Sequence, residues 1–162
     1  KAPTPDLAAV IGDLCVGLGE SDAAEPYFRM VEQIERAAWA NGPRQPHVLA
    51  RFLIDHDRSP SEALALAEEA ARARRDIFTM DVLASAYWKA GRLDDARQVA
   101  EAALATGTRD ARIVWHAAEI RAAQGDLAGA GELLQRIPST DGIADLHVRA
   151  GIRALHTRLT RT

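Results

Sequence analysis

Apolar and small residues recur along this chain at intervals of three and four, in stretches broken by short polar or glycine-bearing segments. That period belongs to helices with one buried face. It predicts helices near 5–18, 22–40, 46–57, 60–74, 77–90, 93–106, 110–124, 127–137 and 142–159. Local signals mark several of the ends. Ser59-Pro60-Ser61-Glu62 reads as a capping box with proline at the first helical position, where its missing N–H costs nothing. Asp22 followed by Glu25 reads as a second start, with Pro26 at the edge of its first turn, where it costs one backbone bond. Asn41-Gly42-Pro43 reads as a stop.

The helices repeat as pairs. Residues 87–96, YWKAGRLDDA, align without gaps on residues 121–130, RAAQGDLAGA, and Gly91/Gly125, Leu93/Leu127 and Ala96/Ala130 each stand 34 apart. Gly19 precedes Ala24 by the same five residues that separate Gly91 from Ala96 and Gly125 from Ala130. Seven places before each glycine lies a small residue: Gly12, Ala84 and Ala118. Ala50 stands 34 before Ala84, and Ile152 stands 34 after Ala118. Five first helices follow, the last without a second. The step from Gly12 to Ala50 is 38, so four extra residues lengthen the first hairpin or the loop after it, a cheap insertion. A hairpin of this kind cannot bury its own apolar face, whereas stacking buries it against its neighbours.

This register resembles the tetratricopeptide repeat family over nearly the whole chain. The resemblance implies an all-α, right-handed superhelical solenoid of four helical hairpins plus a C-terminal capping helix. It implies a single domain over residues 1–162, with repeats near 5–42, 43–76, 77–110 and 111–144 and a last helix over 142–159. A cap and a truncated fifth repeat both fit that last helix. In the family a small residue on the first helix packs against a small residue on the second. The matched places are Gly12, Ala50, Ala84 and Ala118, facing Ala24, Ala63, Ala96 and Ala130. The bulky second-helix place holds Phe28, Ala67, Ala100 and Leu134; the first-helix aromatic place holds Cys15, Leu53, Tyr87 and Arg121. Arg121 departs from the pattern, and the usual proline between repeats is mostly missing.

Composition narrows the chemistry. Aromatic residues make up only 5% of the chain, so the core rests on Ala, Leu, Ile and Val, which suit closely packed helices better than sheets. A net charge of −3 with scattered cations does not make a nucleic-acid footprint. No apolar run reaches the roughly 18 residues of a membrane span. Cys15, the single cysteine, falls in the apolar stripe Ala8, Ile11, Gly12, Cys15 and reads as a packed thiol. Asp55-His56-Asp57 is the most tempting cluster for a metal or for catalysis, but successive helical residues point apart, whereas ligands must converge. His47, His116, His147 and His156 have no ligand spacing, and no phosphate loop or nucleophile elbow is present. The expectation is therefore a non-enzyme without metal or cofactor. The chain begins at Lys1, which reads as a trimmed or processed start and leaves the compartment open.

The resemblance also implies a concave face lined by first helices. Its inward rows run Ala9, His47, Asp81, Trp115, Arg149 and Asp13, Arg51, Ser85, Glu119, Arg153. The family's clamp for a C-terminal carboxylate uses lysine and asparagine at these places, and neither is found there. Asp13 with Arg51, His47 with Asp81, and Glu119 with Arg153 are expected to pair across neighbouring helices. Trp88 and Trp115 are large enough to anchor a partner, while Trp39 reads as packing against the next hairpin. The expected partner site is Arg51, Asp81, Ser85, Trp88, Trp115 and Glu119. Two functional classes remain: an adaptor holding a protein or peptide segment in the groove, and a structural module that self-associates, as a homodimer through the C-terminal helix.

Overall fold

Apolar stripes at helical spacing become helices throughout the computed structural model, which describes residues 3–41, 45–140 and 142–161. In order they are α1 (Pro5–Gly17), α2 (Ser21–Asn41), α3 (Pro46–Asp55), α4 (Pro60–Ala73), α5 (Ile77–Lys89), α6 (Leu93–Leu104), α7 (Ala111–Ala123), α8 (Leu127–Leu134) and α9 (Leu146–Thr160). Among the described residues there is no strand. The helices pack as sequential hairpins, α1 with α2, α3 with α4, α5 with α6 and α7 with α8. Each second helix then meets the next first helix, and α3, α5, α7 and α9 stand side by side in a row.

The hairpins close through the places that the repeat marks. Ala24, Ala50, Ala63, Ala84, Ala96, Ala118 and Ala130 are all buried, none more than 2% exposed. Alanine there loses no side-chain entropy and lets the helix axes approach closely. The first hairpin reaches the same end differently. Phe28 fills its bulky place, and a β-carbon on Gly12 would stand 2.7 Å from the Phe28 Cδ1, so only glycine fits opposite.

Turns inside the hairpins share one geometry. At Gly91 the backbone takes φ +74°, and the Arg92 N–H donates to the Tyr87 carbonyl at 2.9 Å. Gly125 and Gly19 make the same reversal, with Asp126 donating to Arg121 and Glu20 to Cys15. The second hairpin has no glycine there. Asp57 adopts φ 51° instead, and Arg58 donates to the Leu53 carbonyl at 2.8 Å. Aspartate is among the few side chains that tolerate this left-handed turn.

Two local expectations need correction. Ser59 precedes α4 but makes no capping bond, because its backbone is left-handed at φ 42°. Glu62, the expected reciprocal partner, instead accepts from Arg36 of α2 at 2.7 Å. Pro26 lies within α2 rather than at its edge, since the helix starts at Ser21. Of the expected stop, Gly42 and Pro43 lie outside the described residues, as does the side chain of Trp39.

Curvature brings the ends together. α9 packs on α7 and α8 and also reaches α1. The row of first helices thus curls until its last member meets its first. Among the described residues no helix is long and apolar enough to cross a membrane.

Candidate functional site

The inward side of the curled row is lined by rings and charges. Phe28, Phe52 and His56 cluster with centroids 4.3–5.8 Å apart. His56 lies 5.7 Å from His147, which lies 5.6 Å from Trp115, whose ring in turn lies 4.5 Å from that of His116. Helices α2, α3, α9 and α7 are thereby joined by a continuous chain of rings across the centre.

Charged groups interleave with the rings. The Arg112 guanidinium, on α7, donates to Asp55 of α3 at 2.6 Å and to Asp145 at the start of α9 at 2.5 Å. Burial works against its charge, but these two carboxylates outweigh that and raise its pKa further. Burial likewise works against the Asp145 carboxylate, and Arg112 reverses the effect and holds its pKa low. His56 Nε2 meets Asp13 of α1 at 3.0 Å, and its Nδ1 meets the Phe52 carbonyl at 2.8 Å. Burial disfavours the imidazolium there, yet these partners prevail and raise its pKa. For His147 burial wins, helped by the charges of His56 and Arg112 against Asp55, and its pKa is lowered.

Sequence placed several of these residues correctly and paired them wrongly. Asp13 meets His56, not Arg51; Asp81 meets His116 at 2.8 Å, not His47; Glu119 accepts from Arg158 at 2.5 Å. The observed partners lie on other elements: Asp13 on α1 with His56 at the end of α3, Asp81 on α5 with His116 on α7, and Glu119 on α7 with Arg158 on α9. Within Asp55-His56-Asp57 the three side chains turn to Arg112, Asp13 and Lys89 respectively. Among the described residues no set of three such side chains is grouped to hold a metal.

The six expected partner residues do not form an open patch. Asp81, Ser85, Trp115 and Glu119 are each 6% exposed or less. Trp115 lies beneath Gly151 of α9, and its Nε1 donates to Glu119 at 3.4 Å. The Ser85 Oγ is buried without a hydrogen-bond partner. Trp88 is half-buried in the core between the last hairpins, with Lys89 Nζ 5.0 Å above its ring. Arg51 alone is exposed.

Arg51 borders a cavity that is open on this side, about 340 Å³ between α1, α2, α3, α7 and the start of α9. Its wall holds five carboxylates, on Asp6, Asp13, Glu35, Asp55 and Asp145, against two guanidiniums, on Arg51 and Arg112. Burial and the neighbouring Asp6 push the Glu35 carboxyl up, with Arg51 only partly offsetting them. Sequence reasoning missed Arg112, Glu35 and Asp145, since no local pattern distinguishes them from solvated surface charges.

The comparisons agree with this architecture. The tetratricopeptide repeat family model matches residues 87–147. The crystal structure of a thermophilic tetratricopeptide repeat protein from Thermus thermophilus is similar over 98% of this chain and 84% of that one. Its TM-score is 0.62 and its identity 21%, a likeness of fold. No curated protein matches the chain. The repeat-family model thus falls on the second half of the chain, and the fold of a tetratricopeptide repeat protein extends over nearly all of it.

Proposed function

We propose that the chain is a protein-interaction scaffold that takes a basic segment of a partner into the open cavity on its concave side. Tetratricopeptide repeats are generally protein–protein interaction modules. The observation that carries the finer reading is the imbalance of charge in the cavity. Arg112 bridges Asp55 and Asp145, and His56 takes Asp13, which leaves Glu35 and Asp6 near one another with Arg51 beside them. A partner lysine or arginine entering there relieves the repulsion between these two carboxylates and gains their attraction. Asp81, Ser85, Trp115 and Glu119 then support the wall from behind rather than touch the partner.

Titrating the folded protein with fluorescent peptides tests this. Peptides with a central Lys or Arg should bind, and the same peptides with Glu at that place should not. Glu35→Gln with Asp6→Asn should weaken the basic peptides by about tenfold, equal to about 1.4 kcal/mol. Arg51→Gln should strengthen them. Equal affinity for basic and acidic peptides would refute the reading.

A further inference from the structure

Arginines on α2 and α6 are held by glutamates of their own helix: Arg29 by Glu25, Arg36 by Glu32 and Arg97 by Glu101, at 2.7–3.7 Å. The end of α4 differs. Arg72 stands four residues after Glu68, the spacing of an ordinary helical ion pair. That pair is not made, and Glu68 meets Arg92 at the turn of the third hairpin instead, at 3.4 Å. Arg74 closes on Asp76. Arg72 and Arg75 are left exposed, and neither has a carboxylate partner among the described residues.

Both line a groove of about 510 Å³ between α4 and α5, together with Glu68, Ala71, Leu83 and Tyr87. The groove lies between the second and third hairpins, with a further hairpin on either side. Arg92 adds a third guanidinium beside it, 4.1 Å over the Tyr87 ring. Glu68 is the one carboxylate on this wall among the described residues, and Arg92 already engages it. The two unpaired guanidiniums therefore make the groove positive, in a chain whose net charge is −3. A guanidinium that lacks an internal partner gains the full attraction of an incoming carboxylate, and its planar fork matches the two carboxylate oxygens.

We propose that the α4–α5 groove is a second interaction site, which takes an acidic segment of a partner protein. Two of its carboxylates meet Arg72 and Arg75, and an apolar side chain between them lies on the floor made by Ala71, Leu83 and the half-buried Tyr87 ring. The groove and the concave cavity share no lining residue, so the inference does not depend on the reading of that cavity.

Titration of the whole chain with short peptides, followed by amide NMR shifts, tests it, because such shifts read weak binding and locate it. The probes carry Glu-Leu-Glu, Gln-Leu-Gln or Lys-Leu-Lys between glycine spacers. The glutamate peptide should bind, move the signals of residues 71–76 and 83–87, and weaken with added salt. Arg72→Ala and Arg75→Ala should each weaken it about threefold, and together about tenfold. Glu68→Gln should strengthen it, since that change removes an opposing charge and frees Arg92. Arg72→Glu with Arg75→Glu should turn the preference to the lysine peptide, an inversion that loss of folding cannot imitate. Glu35→Gln in the concave cavity should leave the glutamate peptide unaffected, so the two sites fail separately. Equal binding of the glutamate and glutamine peptides overturns the proposal. So does a double alanine variant that is folded by circular dichroism and binds the glutamate peptide as the wild type does.

Discussion

Gly151 of α9 lies against the indole of Trp115 on α7, so close that a β-carbon on it would stand 2.5 Å from Cε2 and 2.6 Å from Cη2. Replacing a helix-interior glycine by alanine ordinarily stabilises by up to about 1 kcal/mol. Here the indole has no room to yield, since it is buried between α7, α9 and the His147 ring. Gly151→Ala is therefore expected to destabilise by about 1–3 kcal/mol, the range of overpacked cores. Gly131→Ala in α8, where a β-carbon meets nothing within 4 Å, should do the opposite. Urea denaturation of the two variants checks the pair, and a stabilised Gly151→Ala would show that α9 does not sit on Trp115.

The close alanine contact inside the third hairpin gives a second expectation. Ala84 is 1% exposed against Ala96, whereas Arg92 is exposed at the turn and holds Asp95. Ala84→Leu should cost about 1–3 kcal/mol, while Arg92→Ala should stay within roughly 0.5 kcal/mol. Equal melting temperatures for the two variants would contradict the hairpin register.

Asp81 and His116 form a polar contact sealed on both sides, with each side chain 5% exposed. Removing one partner leaves the other buried and unpaired, at a cost of about 1–3 kcal/mol. Asp81→Ala and His116→Ala should each show that loss, and the double variant should lose less than their sum. A double-mutant cycle by chemical denaturation measures it; simple additivity would mean that the contact contributes nothing.

Protonation should act on the two central imidazoles in opposite senses. His56 has a raised folded pKa, so the stability it contributes is complete below its unfolded value of about 6.5 and fades as pH rises through the raised one. His147 has a lowered folded pKa, so its contribution is complete above about 6.5 and is lost as pH falls through the lowered value. The deficit of His56→Gln relative to the wild type should accordingly widen on acidification. That of His147→Gln should narrow. Denaturation midpoints measured across the pH range decide the matter, and deficits that change in the same sense would sink the assignment.

Helix positions, hairpin pairing and the close alanine contacts were legible in the chain because each rests on local, periodic signals. A stripe at three- and four-residue spacing specifies a helix, and a 34-residue return specifies equivalent places on successive hairpins. Even Asp57 could have been found that way, standing 34 before Gly91 at the corresponding turn. Partner choice was not legible in the same manner. Asp13 and His56 are 43 residues apart, and Arg112 and Asp55 are 57 apart. Whether such pairs meet depends on the stagger of adjacent helices and on small rotations between hairpins, summed along the stack. Those rotations come from side-chain packing at each junction, which no spacing within one helix records. Their sum curls the row until α9 meets α1 and Gly151 covers Trp115. A tryptophan that the periodic pattern assigns to an open groove is thereby made part of the core, and the accessible concave surface shifts to the cavity beside Arg51.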